Sequence, residues 1–205
     1  MMDAAGPESL LTEMSEAKSG ERHAPAPQPD QVDAEIGLPP DLRGRMFRAQ
    51  RQMPDAAARE FLRRQKVAHV AVVDPRGWPY VLPLVYIYEA GEHLYLHTGN
   101  HPGHFATSVV QKPRICIEVS EIGPLHPGKP YACNSALVYT SVIVFGTVAL
   151  IEDRSRKEWF FDRLIEKYGS PEWSFEPGYP QVHRILLYEV TIEVLTGKRS
   201  LGLSH

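Results

Sequence analysis

The chain has 205 residues, 43% hydrophobic and 23% charged, with a formal net charge of −3. That is enough apolar material for one domain with its own core, and the slight negative balance gives no general attraction to nucleic acid or to an anionic membrane. No apolar run approaches the roughly 18 residues of a spanning helix, and Cys116 and Cys133, without C-x-x-C spacing, read as reduced thiols of a cytoplasmic protein.

Residues 1–40 are rich in Pro, Ala and acidic residues, with "APAPQPD" at their centre. They have no basic stretch leading into an apolar one, so they do not read as a signal peptide. Such a composition buries too little surface to offset its ordering entropy and predicts a disordered tail, dispensable for folding. Residues 41–53 form a basic lead-in, "LRGRMFRAQRQ", read either as a short packed helix or as a solvated cationic segment.

The domain is expected over residues 54–205. "PDAAAREFLRRQ" sets Ala57, Phe61 and Leu62 at helical spacing behind Pro54. "VAHVAVVD" is a β-branched strand and "PRGW" its turn. "PYVLPLVYIYE" reads as a second strand, with Pro83 arguing for a sheet edge or bulge. "EHLYLHT" is a third, and short turns make an antiparallel meander the economical pairing. "PGHFATSVVQK" predicts a short helix with Phe105 and Val109 on one side, and "PRICIEVS" a fourth strand, followed by a Gly/Pro-rich loop. "ALVYTSVIVFGTVALIED" carries the longest strand signal, and Gly146 within it suggests a bend or bulge. "RSRKEWFFDRLIEKYG" is an amphipathic helix stopped at Gly169, and "HRILLYEVTIEVLTGKR" the last strand. About six strands with short connecting helices favour a small closed antiparallel barrel.

No G-x-G-x-x-G, G-K-[ST] or G-x-S-x-G motif is present. His97, His101 and His104 are interrupted by Gly and Pro, so a metal site with three converging ligands is not expected. The junction "LHTGNHPGH" is more informative. Thr98, Gly99 and Asn100 offer donors at a strand end, Pro102 suits a helix start, and the helix N–H groups with His104 favour an anion. The same spacing fits an ordinary strand–turn–helix joint.

The segment "RGWPYVLPLVYIYEAGEHLYLHTGNHPGHFATSVVQKPRICIEV", with "YTSVIVFGTVALIED" and "TGKR" after it, resembles the pyridoxamine 5′-phosphate oxidase-like split-barrel proteins, in the branch of the nitroimidazole-reductase-like members. The resemblance covers roughly Pro54 to Ser200. It implies a mainly β protein with short helices, a six-stranded antiparallel split β-barrel of Greek-key type. It also implies a homodimer with FMN at the interface and an oxidoreductase acting on a small molecule. By that pattern the isoalloxazine lies against Pro83, Leu84 and Val85. His97, Thr98, Gly99 and His104 hold the phosphate side, and Tyr139 and Ser141 border the site, in one reading from the partner subunit. Two positions depart from the pattern: Phe105 stands where relatives carry Lys, and Thr140 where they carry Arg, with Lys112 and Arg114 as alternative cations. A lysine at position 105 is therefore expected to tighten FMN binding. Other readings of the fold are a barrel binding haem, through His101 or His126, or a deazaflavin, and a non-catalytic binding module. The catalytic residues, substrate and electron donor are not named by the sequence.

Overall fold

The computed structural model describes residues 41–202 except Ala90 and Pro102, so the expected tail lies outside the described residues. The elements run α1 (Asp55–Arg64), β1 (Ala68–Val73), β2 (Pro79–Leu84), β3 (Tyr86–Glu89), β4 (His93–Gly99), α2 (His104–Gln111), β5 (Arg114–His126), β6 (Ala136–Ile151), α3 (Arg154–Tyr168) and β7 (Ile185–Leu201). None of the described helices is long and apolar enough to cross a membrane. The lead-in forms a turn and a single 3₁₀ turn at Ala49–Arg51 rather than an α-helix, and Phe47 is exposed.

The strands form one antiparallel sheet in the order β2-β1-β5-β6-β7-β4-β3. The expected second strand is thus two. Its first half pairs with β1 at one edge, and its second half pairs with β4 at the other. One residue, Val85, separates them, so the chain itself joins the two edges of the sheet. Six strands become seven because one is split, and the hairpins β1–β2 and β3–β4 keep the pairing of the meander. Pro83 lies on an edge strand opposite His69, where its missing N–H is tolerated.

The crossing needs partners for backbone groups that leave one ladder and enter another. Tyr168, at the end of α3, supplies them. Its hydroxyl accepts from the Tyr86 N–H at 3.0 Å and lies 2.7 Å from the Tyr86 carbonyl and 2.9 Å from that of Lys66. The Lys167 ammonium donates to the Tyr86 carbonyl at 3.2 Å and sits 3.8 Å from the centre of the Tyr86 ring. The Tyr86 hydroxyl, inside the barrel, donates to the Leu62 carbonyl of α1.

The main core fills the barrel from alternate positions, among them Val70, Leu94, Leu96, Ile117, Val142, Val144 and Val190, with Phe61 and Leu62 of α1 against it. A smaller cluster of Ile87, Tyr95, Phe160 and Leu187 packs under α3. The expected bend at Gly146 is a register shift between Phe145 and Gly146, where a Cβ would stand 2.2 Å from the Thr191 carbonyl oxygen. β5 is longer than expected. Gly123 and Pro124 read as the start of a loop, but they fall at a register shift between Ile122 and Leu125, and the ladder resumes through His126. α3 begins at Asp153, whose side chain caps the Arg156 N–H at 2.8 Å, and ends at Gly169.

Replacing Tyr168 by Phe removes one hydroxyl and strands the Tyr86 N–H, while the Tyr86 carbonyl keeps Lys167. The expected cost is about 1–3 kcal/mol, read as a lowered urea midpoint with an unchanged slope. A stability equal to wild type would show that the crossing does not depend on this hydroxyl.

Candidate functional site

Among the described residues no side chain caps α2: Gly103 occupies the N-cap position, and the helix expected from Pro102 starts at His104, Pro102 itself lying outside the described residues. Free first-turn donors and the helix dipole together favour a negative group. The His104 ring stacks on Tyr80 of β2, with centroids 4.1 Å apart, so the start of α2 stands beside β2. His104 Nε2 lies 3.4 Å from Asp74 Oδ2, and the Lys112 ammonium donates to the Asp74 carbonyl at 2.8 Å. Asp74 closes the β1–β2 turn and accepts from the Trp78 N–H at 2.8 Å. Burial pushes its carboxyl up, but the Trp78 and Arg76 backbone donors and His104 outweigh this and hold it below the usual range. The ionised Asp74 therefore fixes the His104 ring.

β2 and β3 are the two edges of the sheet, and they differ. Tyr168 and Lys167 cover the β3 edge at Tyr86. The outer edge of β2 has no backbone partner among the described residues. Unpaired edge groups are a ready hydrogen-bonding template. Leu84 and Val85 are half-buried beside it and Pro83 is exposed; Pro83 and Leu84 lie on opposite faces of β2.

The expected phosphate residues are not all in one place. His97 and Thr98 project from opposite faces of β4, as successive strand residues do. His97 packs under α3 against Phe160, with centroids 5.1 Å apart, and its Nδ1 is buried without a hydrogen-bond partner among the described residues. Burial pushes its pKa below the ordinary value, so it is a neutral ring there and no source of positive charge. Thr98 Oγ1 lies 3.0 Å from the Tyr188 hydroxyl and 3.2 Å from the Gly99 carbonyl, so its hydroxyl is engaged within the protein. Gly99 is exposed at the end of β4.

Phe105 corrects the sequence expectation. Its side chain is 3% exposed and meets the Tyr188 ring edge-on at 5.2 Å, so it faces the core. The Phe105–Val109 spacing carried that signal. Thr140 shares the face of Val142 and Val144, while Tyr139 and Ser141 lie on the other face of β6. Tyr139 pairs with Ser200 and Thr98 with Leu186, near opposite ends of β7. The 17 residues of β7 run about 55 Å along the strand at about 3.3 Å each, so within one protomer the two halves are far apart along that strand. Sequence reasoning missed Tyr80 and Asp74 as the residues that set His104, because their contacts bridge separate elements.

The architecture is that of a split barrel. The sequence profile described as pyridoxamine 5′-phosphate oxidase matches residues 54–199, and the chain belongs to that family. Its fold is similar to that of a protein provisionally assigned to 5-nitroimidazole antibiotic resistance from Bacteroides thetaiotaomicron, at 24% identity over 72% of this chain and 86% of the other, with a TM-score of 0.60. It is similar to the flavocytochrome Anf3 from Azotobacter vinelandii, at 20% identity over 78% and 75% of the two chains, with a TM-score of 0.68. It is also similar to an FAD- and haem-binding protein from Mycobacterium smegmatis, at 16% identity over 76% of each chain, with a TM-score of 0.64. No curated protein matches.

Two outcomes follow from these placements. Phe105→Lys puts a charge into the core and is expected to destabilise by about 3 kcal/mol or more, seen as lost soluble folded protein; a stable variant with tighter FMN binding would overturn the burial argument. His97 has a folded pKa below its ordinary value, so the unfolded chain takes up the proton first as pH falls, and stability drops as pH falls through about 6.5. His97→Leu is expected to lose less melting temperature than wild type between about pH 7.5 and pH 5.5, and an equal loss would contradict it.

Proposed function

We propose that the protein is an FMN-binding oxidoreductase that works on a small molecule as a homodimer. The observation that carries this reading is the pairing of an uncovered β2 edge with the uncapped start of α2, held together by the Tyr80–His104 stack. A flavin mononucleotide asks for these features: backbone donors and acceptors along a planar heterocycle, an apolar surface, and an anion site at one end. Leu84 and Val85 supply the apolar surface, and the first-turn N–H groups of α2 with His104 receive the phosphate. Asp74 orients His104, and Lys112 adds a nearby positive charge. When bound, the flavin supplies reversible electron transfer to and from the substrate.

A second copy is part of the proposal. Tyr139 and Ser141 border the flavin only if they come from the other protomer, since within one chain they lie at the far end of β7 from Thr98. Apolar residues at that end are exposed on the face that carries Tyr139: Leu125 pairs with Leu137, and Ile122 with Tyr139. A contiguous apolar surface of this kind fits a partner.

The test is the absorption spectrum of freshly purified protein together with an FMN titration by fluorescence quenching. Two flavin bands, or uptake with a Kd of about 10 μM or tighter, and a dimer mass by light scattering are expected. A Soret band, or no chromophore and no FMN uptake, would overturn the cofactor reading, and a monomer that binds FMN would overturn the shared site.

A further inference from the structure

One hydrogen-bonded histidine–carboxylate pair takes no part in the site described above. His69 Nδ1 lies 3.0 Å from Glu118 Oε2, across the β1–β5 ladder in which the two residues are directly opposed. Both stand on the outer face of the sheet, since the next residue of β1, Val70, is buried in the core. An ionised carboxylate only accepts, so the ring gives it the Nδ1 proton. Nε2 then carries the lone pair of the neutral ring, or the second N–H of the charged one. The ring is exposed, and Nε2 has no hydrogen-bond partner among the described residues. The other histidines beside a carboxylate differ. The His104 ring is stacked on Tyr80, and His93 Nδ1 is buried 3.5 Å from a Glu189 oxygen that accepts from the Tyr95 hydroxyl.

An exposed pair of this kind adds little to stability, so its position is what distinguishes it. His69 is opposite Pro83 in the β1–β2 ladder as well as opposite Glu118. A row Pro83, His69, Glu118, Ile143 therefore crosses four strands on one face, with Val81 and Ala71 in the next row. Directly opposed residues hold their Cβ atoms about 5 Å apart. The imidazole is thus one strand in from the open edge of β2, beside the residue that precedes Leu84 and Val85. We propose that His69, aimed by Glu118, exchanges a proton with the substrate at the flavin, and that the substrate is a small molecule with a polarised double bond. This rests on the flavin reading above. In the reducing direction the substrate receives a hydride, with its electron pair, from the reduced flavin, and a proton from Nε2 of the charged imidazole. Two bonds to hydrogen replace one π bond, the flavin is left oxidised, and the neutral imidazole regains its proton from water. Oxidation runs the same transfers backwards, with Nε2 as the acceptor. Glu118 is a positioning residue: it fixes the tautomer and the direction of the ring.

Two measurements test this on the full chain. In the first, protein labelled with carbon-13 and nitrogen-15 at histidine is followed by NMR, the His69 signals being assigned by their loss in His69→Gln. Adding FMN is expected to shift the His69 ring resonances through the ring current of the isoalloxazine. The nitrogen shifts of the neutral ring are expected to place the proton on Nδ1, and in Glu118→Leu on Nε2. In the second, FMN-loaded protein is reduced and then mixed rapidly with a naphthoquinone, which takes a hydride and a proton, or with ferricyanide, which takes electrons alone. His69→Gln is expected to slow the quinone reaction about a hundredfold or more, with FMN affinity and the ferricyanide reaction unchanged, and Glu118→Leu to slow it less. His69 resonances that FMN leaves in place, or a quinone reaction indifferent to His69→Gln, would overturn the proposal. Equal slowing with both acceptors would overturn it as well, because His69 would then act on the flavin and not on the proton of the substrate. These failures occur with FMN bound and leave the flavin reading standing; if wild type takes up no FMN, that reading fails and this proposal falls with it.

Discussion

Tyr86 is held on both sides as the chain crosses from one edge of the sheet to the other. Its side chain reaches through the core to the Leu62 carbonyl, and its backbone is gripped by Tyr168 and Lys167 from α3. The grip has a cost, since burial pushes the Lys167 ammonium down to about 8. The ring beneath it and the carbonyl in front of it favour the charged form in return. With Tyr86 fixed, β2 and β3 pair with different neighbours, the sheet closes, and the barrel has an inside. The same contact covers the β3 edge and leaves the β2 edge uncovered, so closure and the candidate site have one origin.

Local signals were legible and long-range ones were not. α1 and α3 stand where helical spacing and the Pro54 and Gly169 boundaries put them, because those signals act within a few residues. Gly146 announced its bulge by its place in a long β-branched run. The split at Val85 was hidden, since "PYVLPLVYIYE" has no break in its β pattern and the change of partner is decided by α3, some eighty residues later. The end of β5 was misread because Gly123 and Pro124 look like a loop wherever they occur, and only the β6 ladder shows them to be a bulge.

The site divides in the same way. The anion-favouring start of α2 was readable from the junction "LHTGNHPGH", but strand alternation separates His97 from Thr98, and helix periodicity turns Phe105 inward. Both rules act on the sequence alone, and both were masked by treating adjacent motif residues as spatial neighbours. The bridge from Gln52 to Lys198 had no local signature. It depends on the lead-in docking along the free part of β7, a contact between chain ends.

The central claim is that an uncovered strand edge and an uncapped helix start, joined by one stacked ring pair, hold a flavin. A crystal structure of the protein with FMN tests it most directly. The account predicts the isoalloxazine along the outer edge of β2 beside Leu84 and Val85, with the phosphate within hydrogen-bond distance of the first-turn N–H groups of α2 and of His104. A flavin whose phosphate sits away from the start of α2, or whose ring lies away from β2, would contradict it.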